Sequence, residues 1–451
     1  VNHREGALRV ARTLRAAGHQ AYFAGGCVRD ALLGREPQDY DVATSAQPGE
    51  VQALFPATEA VGAAFGVILV LLEGEAHEVA TFRADGPYLD GRHPESVRFC
   101  GPAEDARRRD FTVNGMFQDP ESGEILDFVG GKADLEAGVL RAIGEPARRF
   151  EEDRLRVLRC VRFASQLGFR IEAATWSAVE SFAGETGGLA RERVSAELTK
   201  ILRSPRPRLG LELLDAAGLL KELLPELTPL KGCPQPPEFH PEGDVWEHTL
   251  RVVQAVADAG EPSKRLAWAA LLHDIAKPQT FLKTDRIRFH GHEVEGEKAA
   301  RAILEKLKLG REVSEGAAVL VADHLRLDPI RQMRTATLKR LLRRDDIEDL
   351  LALHRADCLG SHGNLELYRF ALERRAEFQA AAVEQGLRPQ ALLKGKDLLA
   401  LGFSPGPRFK TILEAVEDEQ LEGRLETKEA ALAFVLERYP PEAPAPENGR
   451  S

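Results

Sequence analysis

Long apolar runs are missing from this chain. Nowhere in its 451 residues do 18 consecutive apolar residues occur, so no membrane-spanning helix is expected and no membrane partner. The first residues, VNHREGALRV, carry charges where an export signal would have its apolar core, so no secretory signal is expected there. Cysteine is scarce too. Cys27, Cys100, Cys160, Cys233 and Cys358 are scattered, form no CxxC pair and build no even disulfide framework, a usage that suits the reducing cytoplasm. No internal repeat is visible. A positive balance is also lacking: the net charge of −10 speaks weakly against a nucleic-acid partner for the chain as a whole.

That average hides local fields. Between Arg141 and Arg170 there are eight arginines against four acidic residues, and eight of the twelve histidines lie between His240 and His362. An acidic protein can thus carry a basic stripe, and at least two chemically distinct regions are expected. With 43% hydrophobic and 29% charged residues, the composition is that of a folded protein. Its length exceeds what one core organises, so about two to four domains are expected.

Residues 1–145 mix strand and helix signals. AYFAG, VILVLLEG and HEVATF read as strands, and helices fit 5–17 and 47–55. From about Glu151 only helical periodicity is legible, as in RLRVLRCVRFASQLG and SAELTKILRS. LKGCPQPPEFHPEGD (230–244) is rich in Pro and Gly and reads as a linker. His-rich helices follow to about 388, then a helical module at 391–438 and a Pro-rich terminus with nothing to bury, expected to be disordered.

The stretch GGCVRDALLGREPQDYDVAT (25–44) places two glycines before a helical run and then two aspartates one residue apart. On a strand, Asp39 and Asp41 would face the same way. Close carboxylates repel unless a hard divalent cation such as Mg²⁺ offsets them, and that ion also binds substrate phosphates. Glu78, on a later strand, could supply a third carboxylate, giving a set suited to two metals and in-line phosphoryl displacement. Gly25 and Gly26, without Cβ atoms, would let backbone N–H groups approach a triphosphate. Taken singly, a GG is usually a turn and a DxD a solvated loop; their joint order is what points to chemistry.

The order strand–GG–helix–DxD–strand–Glu resembles the nucleotidyltransferase superfamily that includes the β-type DNA polymerases. FAGGCVRDALLG…DYDVATSA, HEVATFR, RRRDFTVNGM, ILDFVGGKADLEAGVLRAIG and RFEEDRLRVLRCVRFA then narrow the likeness. Over residues 20–200 the series is similar to the class II tRNA nucleotidyltransferases, the CCA-adding enzymes, and to the related bacterial poly(A) polymerases. The resemblance implies Asp39, Asp41 and Glu78 as catalytic ligands of Mg²⁺. It also implies nucleotide binding by Gly25, Gly26, Arg29, Asp30, Arg109, Asp110 and Asn114. Gly115 departs mildly from the family pattern, which usually has a small non-glycine residue there.

EEDRLRVLR offers the means to read a base. On one helix Asp153 and Arg156 would be neighbours, an acceptor beside a donor. That edge complements cytosine and adenine and mismatches uracil and guanine. Without the family context the pair would be a surface salt bridge; with it, Asp153 and Arg156 are the expected amino-acid template, assisted by Arg159. The loop ADGPYLDGRHPESVR (84–98) corresponds to the family's flexible loop, which implies competence in A addition, and the long insertion of the poly(A) polymerases is lacking. Arginines 148, 149, 154, 159 and 162 could line a tRNA phosphate face. In LLKGKDLLALGFSPGPRFKTIL, Gly402 and Gly406 with Lys394, Lys396 and Lys410 could meet a tRNA phosphate, although helix C-caps explain such glycines equally well.

His248, His273-Asp274 and Asp357 lie on three helical segments, and His292 and His324 would complete a dinuclear set. Imidazole with carboxylate suits Mn²⁺, Ni²⁺, Fe²⁺ or Zn²⁺. The H…HD…H…H…D order resembles the HD phosphohydrolases, which implies hydrolysis of phosphate esters by metal-bound water. His240, His290, His354 and His362 read as bystanders.

The expected architecture is an α/β head, polymerase β-like with a small mixed sheet and helices (1–145). An all-α remainder follows: neck (146–204), body and linker (205–240), HD domain (241–390), tail (391–440) and disordered terminus (441–451). The expected reaction is template-independent addition of C and A to tRNA 3′ ends from CTP and ATP. The alternatives are an A-only enzyme or poly(A) polymerase, and, from another class, an HD hydrolase whose N-terminal part merely binds RNA. The sequence does not fix the oligomeric state.

Overall fold

The computed structural model describes residues 3–62, 65–88, 95–381 and 390–440. Contacts divide the chain into two units. One runs to Lys231 and includes Ala257–Ala267 and Ala302–Gly310; the other comprises Gly232–Val256, Trp268–Arg301 and the chain from Arg311.

The first unit opens with α1 (His3–Ala16), whose buried Ala7, Val10, Ala11 and Leu14 follow the i, i+3, i+4, i+7 pattern of one apolar helix face. Then come β1 (Ala21–Ala24), α2 (Gly26–Leu32), β2 (Asp41–Thr44), α3 (Pro48–Leu54), β3 (Thr58–Gly62), β4 (Val67–Leu72) and β5 (Glu75–Thr81). A hairpin of β6 (Arg83–Asp85) and β7 (Val97–Phe99), α4 (Pro102–Arg108), β8 (Phe117–Gln118) and β9 (Ile125–Leu126) follow. The main sheet has the order β3-β4-β5-β2-β1-β8-β9. Its β2 and β5 run parallel, Val42 opposite Val79. Asp41 and Glu78 each precede those partners by one residue, so the register brings them to the same end of neighbouring strands.

Beyond α5 (Gly131–Glu136) and β10 (Val139–Leu140), helices dominate: α6 (Pro146–Glu152), α7 (Leu155–Leu167), α8 (Ala173–Phe182), α9 (Arg191–Leu202), α10 (Pro207–Ala216) and α11 (Leu219–Leu223). Helix α7 is central, with Val157, Leu158, Cys160, Val161 and Ala164 fully buried, and Gly168 ends it in the left-handed conformation at φ 75°. Truncating a buried leucine such as Leu158 to Ala would cost about 3 kcal/mol.

From Val245 on, α12 (Val245–Asp258), α13 (Lys264–Leu272), α14 (His292–Lys306), α15 (Arg311–Asp323), α16 (Thr335–Leu342), α17 (Ile347–Gly360) and α18 (Glu366–Ala381) are the main helices; the end of α12, the start of α13 and the end of α14 belong to the first unit and the rest to the second. The C-terminal helices α19 (Gly395–Ala400), α20 (Pro407–Leu421) and α21 (Lys428–Arg438) share a small core of Leu398, Phe403, Ile412, Val416 and Val435.

Several expectations are corrected. Strands do occur after Glu151: β11 (Arg170–Ile171) pairs in parallel with β10, and β12 (Phe281–Lys283) forms a hairpin with β13 (Ile287–Phe289). Elements of two or three residues are too short to show an alternating pattern, so tertiary pairing alone reveals them. The helical run starts at Gly26, the second glycine, rather than after both. Asp39 precedes β2 instead of lying on it. Residues 230–244 hold no strand, yet they are more than a linker: Gln235 is buried and accepts a 2.7 Å bond from Lys277. The expected terminus 441–451 lies outside the described residues, as do 89–94 of the loop.

Candidate active site

A cleft of about 1170 Å³ in the first unit is lined by Gly25, Gly26, Arg29, Asp30, Asp39, Asp41, Arg109, Asp110, Asn114, Asp153, Arg156 and Arg159. Every nucleotide-binding candidate of the sequence therefore meets in one place. Glu78 stands beside it. Loss of hydration in the cleft raises the Asp41 carboxyl to about 6, and the negative charges of Glu78 and Asp39 add to the effect while Arg109 opposes it. A carboxyl that resists ionisation through lost hydration and nearby negative charge gains from a cation beside it. These residues fit a divalent ion by that test, though their oxygens do not gather as closely as a preassembled ligand set.

The cleft's cations are held by buried anions. Gly25, at φ 75°, occupies a backbone region that suits glycine, and a Cβ there would lie 3.2 Å from Arg109 Nη1. Arg109 donates to Asp105 Oδ2 from Nε (3.1 Å) and Nη2 (3.0 Å), and its guanidinium lies over the Phe117 ring. Arg29, buried, donates to Asn114 Oδ1 at 2.6 Å and pairs with Asp30 through Nε and Nη2. Asp110 accepts from Asn114 and the Phe111 amide on one oxygen and from Arg159 on the other. Burial alone would raise its carboxyl, but Arg159 and these hydrogen bonds outweigh burial and lower it to about 2. Arg109, Asp110, Asn114 and Arg159 thus form a pre-set polar wall. Asp105, which organises Arg108 and Arg109, was not singled out from sequence; its place in the helix before RRRD was the available signal.

The base-reading pair differs from its expected form. Helix α6 stops at Glu152, and Asp153 adopts extended dihedrals, φ −145° and ψ 104°, before α7 begins. The two side chains are therefore not neighbours on one helix face. The break has a local cause: Asp153 Oδ1 accepts the Leu155 amide at 3.1 Å, a side chain competing with the helical backbone for that donor. Both residues still line the cleft. Arg156 is fixed by Glu152 (2.8 Å) and by the carbonyls of Arg149 and Arg108, and Asp153 by Arg193. Arg162, expected at a phosphate face, is instead buried in a pair with Glu197, and Arg154 pairs with Glu185.

The second unit holds the histidines. His248 Nε2 and His273 Nε2 are 3.2 Å apart, as are His292 Nε2 and His324 Nε2. Asp274 lies between the two pairs, Oδ2 3.2 Å from His273 Nε2 and Oδ1 3.5 Å from His292 Nε2, and Asp357 Oδ1 is 3.0 Å from His248 Nε2. On the far side of each ring, Nδ1 has an acceptor: Glu242 Oε1 for His248, and the carbonyls of Ala270, Phe289 and Val321 for His273, His292 and His324. In the neutral ring, donating Nδ1–H leaves Nε2 as a bare lone pair, the form a metal requires. Two lone pairs facing each other at such distances, with buried Asp274 Oδ1 lacking any hydrogen bond, form a donor set that a divalent cation would satisfy. Ligand atoms of His248, His273 and Asp274, and of Asp274, His292 and His324, gather within 4.8 Å. His240, read as a bystander, shares Glu242 with His248. In the C-terminal helices, Gly402 is a helix C-cap at φ 86°, with the Phe403 amide bonded to the Leu398 carbonyl, while Lys394, Lys396 and Gly406 are exposed.

Comparison with known proteins assigns both centres to a class. Residues 21–141 match the Poly A polymerase head domain, 168–231 the probable RNA and SrmB-binding site of polymerase A, and 245–360 the HD domain. The molecule is a nucleotidyltransferase that carries an HD domain, two domain types that generally use divalent metals. Among curated relatives, a CCA-adding enzyme of Streptococcus thermophilus is 33% identical over 95% of this chain and 96% of its own length. One of Geobacillus thermodenitrificans is 34% identical over 96% of each. The crystal structure of a Bacillus stearothermophilus CCA-adding enzyme in complex with CTP superposes with a TM-score of 0.73 at 27% identity, covering 96% of this chain and 97% of the other. This chain belongs to the CCA-adding enzyme family. Among the described residues no helix is long and apolar enough to cross a membrane.

Proposed function

We propose that the chain adds C and A to the 3′ end of tRNA from CTP and ATP, in the cytoplasm. The terminal hydroxyl attacks the α-phosphorus, forming a P–O bond; the bond to the β-phosphate breaks and pyrophosphate leaves. Asp39, Asp41 and Glu78 would hold Mg²⁺, which when bound neutralises phosphate charge. Gly25 and Gly26 leave room for the triphosphate, Arg109 meets its charge, and Asp110 and Asn114 orient the sugar. Asp153 accepts from the exocyclic amino group that cytosine and adenine share, and Arg156 donates to the neighbouring ring acceptor. Residues 1–145 act as catalytic head and 146–204 as the base-reading neck; tRNA contacts extend to the C-terminal helices. The observation that carries this reading is the meeting of Asp41, raised by loss of hydration and further by its neighbouring carboxylates, with Asp153 and Arg156 along one cleft. Transcripts ending before CCA, after CC and after CCA, offered CTP, ATP or both, test it. Stepwise completion to CCA and then arrest is expected. Extension of only the CC transcript indicates an A-only enzyme, continued A addition a poly(A) polymerase, and no extension removes the reading.

A second reading concerns the HD domain. Its convergent Nε2 lone pairs support hydrolysis of phosphate esters with Mn²⁺, Ni²⁺, Fe²⁺ or Zn²⁺ held by His248, His273, Asp274, Asp357, His292 and His324. Assay of a phosphomonoester with each ion, beside metal analysis of the protein, tests it; absence of both binding and turnover with every ion rejects it.

A further inference from the structure

Asp153 and Arg156 can select a base only if each side chain keeps one orientation, because a freely rotating carboxylate accepts from any donor presented to it. Neither residue orients the other in this fold, since Asp153 sits in the break between α6 and α7. What holds Asp153 is Arg193, from the first turn of α9: its Nη2 lies 2.9 Å from Oδ2 and 3.2 Å from Oδ1. The Leu155 amide takes a further position on Oδ1. A carboxylate offers about four lone-pair directions, so this pattern fixes the carboxylate and leaves an acceptor site on Oδ2 for a base. Arg193 itself lines the cleft. A cation in the first turn of a helix is unfavourable to that helix, whose N-terminus already carries partial positive charge, so α9 is not what this arginine serves.

We infer that Arg193 is a positioning residue for nucleotide selection: it fixes the plane of the Asp153 carboxylate and thereby the preference for an amino donor at the position of cytosine N4 and adenine N6. The inference rests on the reading of Asp153 as a base reader. A guanidinium suits the task because it is planar and stays charged.

The test uses the full chain and three variants, Arg193→Ala, Arg193→Lys and Asp153→Ala. Single-nucleotide incorporation is measured with CTP, UTP, ATP and GTP on transcripts lacking CCA or ending in CC. In Arg193→Ala, discrimination of CTP over UTP and of ATP over GTP should fall roughly tenfold, the scale of one good base contact. Arg193→Lys should recover part of it, because a charge returns without the planar fork. If Arg193→Ala does not fold, Arg193→Gln gives the same readout. Unchanged discrimination in the Arg193 variant, while Asp153→Ala loses it, overturns the inference and leaves the base reader standing. Unchanged discrimination in Asp153→Ala overturns both.

Discussion

The two candidate metal centres are assembled on opposite principles. In the head, Asp39, Asp41 and Glu78 are exposed residues on and beside neighbouring strands, and the negative charges of Asp39 and Glu78 act on Asp41. In the HD domain, His248, His273, Asp274 and His324 are almost fully buried, and their donor atoms crowd within 4.8 Å in overlapping groups. Four imidazoles converge around Asp274, each with an acceptor for its Nδ1–H. The three head carboxylates do not gather so closely among the described residues. The contrast fits the proposal of Mg²⁺ with a nucleoside triphosphate at one centre and a transition metal among histidines at the other.

The largest effect that could break this comparison is on catalysis. Asp39→Ala combined with Asp41→Ala should reduce nucleotide incorporation to background, with an unchanged circular dichroism spectrum. Normal incorporation would mean the head carboxylates hold nothing the reaction needs. Next, Asp274→Ala should strip the HD domain of bound transition metal, read by elemental analysis, while tRNA extension continues at the parent rate. A matching loss of extension would show that the two centres are not chemically separate.

Smaller effects concern stability in the head. Arg159→Ala strands the buried Asp110 and should cost roughly 2–3 kcal/mol in urea unfolding, toward the low end for a broken buried pair because the arginine is about one-third exposed. Retained stability would mean that water replaces the guanidinium freely. The acid limb gives the smallest signal. Asp110 is lowered to about 2 in the fold, whereas an unfolded aspartate titrates near about 3.9. Its ionised pair therefore stabilises fully above about pH 4 and the contribution is lost as pH falls toward 2, an amount of roughly 2 kcal/mol. Asp110→Asn should flatten the stability profile across that window, and an unaltered acid limb would assign it to other carboxylates.

Residue spacing made much of this legible. Gly25-Gly26, the Asp39–Asp41 spacing and the His273-Asp274 pair are local patterns tied to specific chemistry, and α1 and α7 announce themselves by apolar periodicity. The short strands β11, β12 and β13 did not, because two or three residues carry no period. The break at Asp153 was also hidden: helical spacing ran through it, and only the competition of its carboxylate for the Leu155 amide ends α6 there. Asp105, Arg193 and Glu242 escaped notice for one reason. Their roles depend on which neighbours the fold orients toward them, near in sequence for Asp105 and Glu242 and 40 residues away for Arg193, and a single charged residue in a charged sequence carries no signal of whom it will meet.

By itself, then, the order of residues determined which chemical groups this protein possesses and how closely they follow one another, with the long periodic helices legible and the exact element ends at Asp39 and Asp153 not. Only the tertiary structure decided that Glu78 comes beside Asp41, that Arg159 answers Asp110, and that His248, His273, Asp274, His292, His324 and Asp357 come together from distant segments. Those encounters depend on strand register and helix packing, which are settled by the burial of the whole core and not by any local stretch of it.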